Sequence, residues 1–406
     1  MIDVELKNAT LSNGLTIQAE IVPDAFTTAV GFFFRTGARD EDTASMGVSH
    51  FLEHMMFKGT DKRTAEDVNR ELDDLGANHN AWTTAENTAY YVHTPPESIH
   101  QALDVLGDIL RPALRTEDFT DEQQVILEEI AMYADQPFWV LYEAAVARYY
   151  GENPLSHRVL GTVDTVSNLT VDVLRSYFDH RYAADNCILA ASGNIDFERL
   201  VDEVDALCGT WPTSAPTRTH TPIAFTPGAL EVELPKDTRQ RYIMMLCPSV
   251  STSDERRYAA GQAAHCLGDV EGSNMFWSLI EPGLAEEAQL HFDGRDGCGE
   301  FAATIVCDPA QADEVESVAL GVLRDATIDL GALERSRAKI ETSAMLASER
   351  PMGRMTRLGV RWTYGLPYKT LDDDLAAINA VTLDDISSYL ADFPIDSMLI
   401  ARGGGG

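Results

Sequence analysis

An internal repeat is the feature that most constrains how this chain can fold. Thr170-Val-Asp-Val-Leu-Arg-Ser-Tyr177 matches Thr382-Leu-Asp-Asp-Ile-Ser-Ser-Tyr389, and 382 − 170 sets the offset at 212 residues. Each copy opens on a threonine able to cap a helix and places an apolar residue four positions later, Leu174 in one and Ile386 in the other. An apolar strand pattern follows both copies, over 186–192 and 397–401. A duplicated domain of about 200 residues accounts for this order, and 406 residues can furnish two cores. Between the halves, 209–222 is rich in Pro, Thr and Ser and reads as an extended linker. The expected organisation is a first domain over 1–208, a linker over 209–228, a second domain over 229–402, and a glycine run at 403–406 to which no function is assigned.

Local patterns fill in the first half. Alternation over 4–10, an Asn13-Gly14 turn and alternation over 15–22 predict a β-hairpin, and a further strand is expected over 27–35. Helical periodicity runs through 44–58 and 64–75, with Gly76 placed to end the second helix. The stretch 78–94, rich in Thr, Tyr, Trp and Val, reads as strand, and helices dominate from 97 to 150.

Charge narrows the partners. Lys and Arg number 31 against 65 Asp and Glu, a net charge of −34. A field of that sign repels phosphate backbones, so nucleic acid is not expected as a partner, while basic peptides are favoured. No uncharged apolar run approaches the roughly 18 residues of a membrane span, so no membrane partner is expected. Met1-Ile2-Asp3-Val4-Glu5 carries neither a signal-peptide nor a transit-peptide pattern. The expectation is a cytoplasmic bacterial protein. Its six cysteines form no C-x-x-C pair, which points to buried reduced thiols rather than a zinc ribbon or redox motif.

One segment carries chemistry. Ser49-His50-Phe51-Leu52-Glu53-His54-Met55 contains H-x-x-E-H inside a helical pattern. Histidines four apart share a helix face, so His50 and His54 can converge on one ion. Glu53 sits at the edge of that face, where it can reach a water on the metal without ligating it. Two nitrogen donors and a carboxylate suit zinc and leave a fourth position open. The carboxylate is sought in 116–135 (TEDFTDEQQVILEEIAMYAD), which reads as one helix. Glu122 and Glu129, seven apart, project from one side of it, whereas Glu128 points about 100° away. Glu129 is assigned as third ligand and Glu122 as a carboxylate orienting a histidine. His79 is read as a surface residue and His265 as core or surface. The second half has no H-x-x-E-H, so one zinc per chain is expected.

The string His50-Phe-Leu-Glu-His-Met-Met-Phe-Lys-Gly-Thr60 closely resembles the signature of the pitrilysin/insulinase family, whose inverted zinc motif marks the inverzincins, and in particular its processing-peptidase-like bacterial branch. Asn80-Ala-Trp-Thr-Thr-Ala-Glu-Asn-Thr88 resembles the family's substrate-side strand, Val125-Ile-Leu-Glu-Glu-Ile130 its glutamate-ligand segment, and Gly353-Arg-Met-Thr-Arg-Leu-Gly359 a stretch of its second half. The resemblance implies His50, His54 and Glu129 as zinc ligands, Glu53 as catalytic base and Glu122 as supporting acid. It also implies an α+β fold of two homologous domains, each a mostly antiparallel sheet flanked by helices, in a clamshell that pairs with a second chain into a homodimer or heterodimer. One departure stands out. The Arg and Tyr that the family's second half uses to bind substrate fall here near Ile280 and Glu286.

The expected activity is that of a zinc metalloendopeptidase cutting unfolded or short extended peptides inside a closed chamber, with Glu53 activating the zinc-bound water. Substrate is expected to add as a strand along 77–84, contacting Asn80, Ala81, Trp82 and Thr83, because edge amides pair with any extended backbone. The alternatives are a subunit that needs a partner chain for substrate binding, and a non-catalytic structural homologue.

Overall fold

The computed structural model describes residues 4–405. They form two compact units, each drawn from three stretches of chain: residues through Ile130, His157–Thr219 and Leu346–Tyr368 in the first; Ala131–Ser156, His220–Met345 and residues from Lys369 onward in the second. The units therefore interleave along the sequence, unlike the consecutive domains expected with boundaries at 208 and 229.

The first unit is built on β1 (Glu5–Thr10), β2 (Thr16–Ile21), β3 (Thr28–Phe34), β4 (Asn78–Thr83), β5 (Thr88–Thr94) and β6 (Cys187–Gly193), ordered β1-β2-β6-β3-β5-β4. The second holds β7 (Gly228–Val232), β8 (Arg241–Ser249), β9 (Ala285–Gly294), β10 (Gly299–Cys307) and β11 (Leu399–Gly403), ordered β7-β11-β8-β10-β9. With β1 set aside, the two orders correspond strand for strand. In each, one pair is parallel (β2–β6 and β7–β11) and the others are antiparallel. The repeat copies occupy equivalent places. Thr170 and Thr382 cap helices Val171–Arg181 and Leu383–Asp392, which lead into β6 and β11.

Two local expectations are corrected. The stretch 78–94 is two antiparallel strands, because the chain reverses at 84–87. The Thr84 hydroxyl there accepts the N–H groups of Glu86 and Asn87 at 3.1 and 3.0 Å, a side-chain turn that needs neither Gly nor Pro. The helix expected from 44 starts at Val48, since Gly47 lies at φ +96° and a Cβ there would fall 2.7 Å from the Leu160 carbonyl oxygen.

In the first unit, one face of the sheet buries Val30, Phe32, Phe34, Tyr90 and Val92 against helices Val48–Met56, Ile99–Ile109 and Phe197–Cys208. The opposite face, carrying Ala29, Phe33, Ala89, Ile188 and Ala190, packs against Met355 and Leu358 of helix Pro351–Thr363, a segment from the second half of the sequence. Gly359 permits that close approach, because a Cβ would lie 2.3 Å from the Phe33 ring. Reciprocally, helix Pro137–Tyr150 of the first half lies on β11, β8 and β7 in the second unit. Nor is 209–222 a loose tether. Arg218 spans the carboxylate of Asp40 at 3.0 and 2.6 Å, and Arg181 donates to the carbonyl of Thr217, both within the first unit.

Each borrowed helix is latched by a buried glutamate. Glu20 on β2, fully buried, accepts Arg354 Nη1 at 2.7 Å and Arg357 Nη2 at 2.5 Å. In the second unit Glu300 accepts Arg295 Nη2 at 2.9 Å and the hydroxyl of Tyr150. Removing one partner of such a pair strands a charge in the interior. Glu20→Ala is predicted to destabilise the chain by about 3–5 kcal/mol in urea unfolding, and a loss below about 1 kcal/mol would show that the helix does not depend on the latch.

Candidate metal centre

Helix Val48–Met56 has two faces. Val48, Phe51, Leu52, Met55 and Met56, at helical spacing, are buried in the core of the first unit. His50, Glu53 and His54 lie on the other side. The start of the helix is fixed by a residue the sequence reading passed over. The buried carboxylate of Glu41 accepts the backbone N–H of Gly47 at 2.7 Å and of Ser49 at 2.8 Å, so an acid meets the positive end of the helix. Burial pushes that carboxyl up to about 8, against the downward pull of the two N–H donors. Repeat residue Tyr177 adds a second hold, its hydroxyl 2.8 Å from both Ser49 Oγ and Thr36 Oγ1. Its counterpart Tyr389 likewise meets a serine, Ser249, at 2.6 Å.

The third carboxylate comes from helix Thr116–Ala134, where Glu122 is buried, Glu129 half-buried and Glu128 exposed. His50, His54 and Glu129 offer ligand atoms that all lie within 4.8 Å of one another, the one such grouping of metal-binding side chains among the described residues. Glu129 Oε2 stands 3.7 Å from His50 Nε2 and 3.6 Å from His54 Nε2. Tetrahedral zinc with bonds of about 2.0–2.1 Å would hold its ligands about 3.4 Å apart, so these separations fit the ion with small adjustments. His54 Nδ1 and Glu122 Oε1 are 2.7 Å apart. That hydrogen bond places a proton on Nδ1 and turns Nε2, the atom left to ligate an ion, toward Glu129. Lys58 closes on the other oxygen of Glu122.

The electrostatics follow from burial and from these contacts. Burial, aided by the nearby His54 charge, pushes the His50 imidazole down to about 3, which keeps it a neutral donor. For His54 burial acts downward, but the bond and charge of Glu122, with Glu129 and Glu53, outweigh it and raise the ring above its ordinary value. Burial raises Glu129, and the charge of Glu122 adds to that. Burial would raise Glu122 too, yet its bonds to His54 and Lys58 hold it below the usual carboxylate range. Glu53 is raised, chiefly by burial.

Strand β4 runs beside this helix. Thr83 Oγ1 donates to Glu53 Oε2 at 2.5 Å, so the side chain of this residue orients the acid. Ala81 shares the face of Thr83 and packs on the first core. Trp82 points the other way, onto Phe33 and Tyr91, with its indole N–H on Asn87 Oδ1 at 3.1 Å, so its side chain is directed away from the metal ligands. Asn80 is exposed. His79, read as a surface residue, is half-buried with its ring 6.5 Å from that of Phe57. His265 lies 3.8 Å from Asp269 in the second unit. Ile280 packs against the core of that unit, and Glu286 is an exposed residue of β9.

Comparison with known proteins gives the family of the chain. Family models match residues 18–163, described as insulinase (peptidase family M16), and residues 168–341, described as the peptidase M16 inactive domain. A Streptomyces coelicolor protein named an uncharacterized zinc protease is 33% identical over 403 residues, covering 95% of this chain and 87% of its own length. A Bacillus subtilis protein of the same description is 29% identical over 388 residues, 94% of each. Among solved structures, a protease from Helicobacter pylori shares the fold with a TM-score of 0.89 at 16% identity, over 99% of this chain and 100% of that one. The peptidase M16 inactive domain from Pseudomonas fluorescens does so at 0.91 and 15%, over 99% and 98%. With a relative one-third identical along almost its whole length and both family models matched in order, the chain belongs to the insulinase family of peptidases, family M16.

Proposed function

We propose that this protein is a zinc-dependent endopeptidase that hydrolyses extended peptides, with His50, His54 and Glu129 holding one zinc and Glu53 moving the proton. The observation that carries the reading is the convergence of His50, His54 and Glu129 beside an acid that ligates nothing. When bound, zinc supplies Lewis acidity that polarises a carbonyl and acidifies water. Thr83 occupies one oxygen of Glu53 and leaves the other to take a proton from the attacking water and return it to the leaving amine. Glu122, bonded to Nδ1, would hold the His54 ring in place to ligate the ion through Nε2.

The edge strand supports the choice of substrate. β4 is the last strand of its sheet and pairs with β5 alone among the described residues. Thr84 N–H donates to the Asn87 carbonyl at 2.8 Å, which makes 84 and 87 a hydrogen-bonded pair. Alternation then turns the N–H and C=O groups of Thr83 and Ala81 outward, to the open edge. An extended peptide can add there through main-chain bonds, whereas a folded domain offers no free strand. The acidic surface would favour basic peptides. A closed chamber, a cytoplasmic setting and pairing with a second homologous chain complete the proposal. A second reading, activity only with a partner chain, is favoured by Ile280 and Glu286 standing where the resemblance expects an Arg and a Tyr.

Three outcomes follow. Glu53→Gln should keep zinc by metal analysis while peptide cleavage falls by about 10²–10⁴-fold, and undiminished turnover would refute the role of Glu53. Glu122→Ala should weaken zinc binding about 10- to 100-fold in a chelator competition, and an unchanged affinity would deny its hold on His54. Unstructured peptides should be cut while a stable compact domain added at the same concentration survives, and equal rates on both would contradict strand addition.

A further inference from the structure

The open edge of β4 is not left bare. The outward N–H of Ala81 donates to the side-chain carbonyl of its neighbour, Asn80 Oδ1, at 2.9 Å. Asn80 is exposed and borders solvent on the free side of the sheet. Its amide carbonyl therefore sits at the position that the main-chain carbonyl of an added strand would take. The contact spans one residue and lies on the surface, so it can open without disturbing the core. On the same strand the Thr83 hydroxyl is engaged by Glu53, so strand addition at Ala81 begins two residues from the group that holds the catalytic base.

We propose that Asn80 is a built-in placeholder at this edge, whose side-chain carbonyl holds the Ala81 amide until the backbone of an incoming extended peptide displaces it. The inference rests on the reading of β4 as the substrate edge. Asn80 then sets affinity rather than turnover: it competes with substrate for one hydrogen bond and touches none of the reacting groups. Capping its own edge amide also blunts a strand that could pair with a second copy of itself.

Two substitutions pull in opposite directions. Asn80→Ala removes the competitor and should tighten peptide binding about three- to tenfold, the range set by one net hydrogen bond. Asn80→Asp retains an acceptor and makes it charged, so it should hold the amide more firmly and weaken binding, by about tenfold. The experiment uses the full chain carrying Glu53→Gln, so that peptide binds without being cut. It follows the fluorescence anisotropy of a labelled, unstructured Ala/Thr dodecapeptide, with thermal unfolding of each variant as a check on folding. Ala81→Pro in the same background removes the outward N–H at a position where an edge strand tolerates proline. The expected result is a lower Kd for Asn80→Ala, a higher Kd for Asn80→Asp, and lost binding for Ala81→Pro. If Ala81→Pro abolishes binding while Asn80→Ala weakens it or leaves it unchanged, the placeholder is overturned and the edge reading stands. If Ala81→Pro binds as the parent does, the edge reading fails and the placeholder falls with it.

Discussion

Two imidazoles one helical turn apart make only part of a metal site. The rest is a carboxylate on a second helix, at a separation neither helix sets alone. Here that separation is 3.6–3.7 Å between donor atoms, close to what a tetrahedral ion requires. Much of the first unit serves to hold it. Glu41 and Tyr177 fix the start of the histidine helix from one end, Glu122 turns the His54 ring from the side, and the apolar stripe from Val48 to Met56 seats the helix on the sheet. Thr83 then sets Glu53 from the neighbouring strand, so candidate ligands, acid and sheet edge share one short piece of structure.

The exchanged helices give the second half of the sequence a part in this. Helix Pro351–Thr363 covers the face of the first sheet opposite the metal centre, and Glu20 would be a buried unpaired charge without Arg354 and Arg357. A half that carries none of the candidate ligands thus still covers the back of the sheet on whose other face the histidine helix rests. The reverse loan, helix Pro137–Tyr150, follows directly after the helix bearing Glu129. The loans occupy matching places in the repeat. Two helices of 19 residues, Thr116–Ala134 and Leu330–Ser348, precede them, each pair of helix starts is 214 residues apart (330 − 116 and 351 − 137), and proline opens both borrowed helices.

What could be read from the amino-acid sequence was what depends on local period. The duplication was visible because Thr170 and Thr382 cap equivalent helices, and the grouping of His50, His54 and Glu129 because spacings of four and seven residues place side chains on one helix face. Features set by long-range packing were not visible. A helical pattern such as 351–363 does not say which sheet it covers, so consecutive domains were expected where the units interleave. The turn at 84–87 lacks Gly and Pro, and its carbonyls are held from outside by the N–H groups of Ala38 and Arg39. Glu41 belongs to no motif, and only its hydrogen bonds to Gly47 and Ser49 reveal its task. The orientation of Trp82, by contrast, was available from the period of two along β4, which puts it on the face opposite Thr83.

The central claim is one zinc bound by residues of two helices, and anomalous diffraction at the zinc edge from crystals of the zinc-loaded chain tests it most directly. The account predicts a single strong peak per chain within bonding distance of His50 Nε2, His54 Nε2 and a carboxylate oxygen of Glu129, with Glu53 outside that distance. A peak elsewhere, or none between those three side chains, would contradict it.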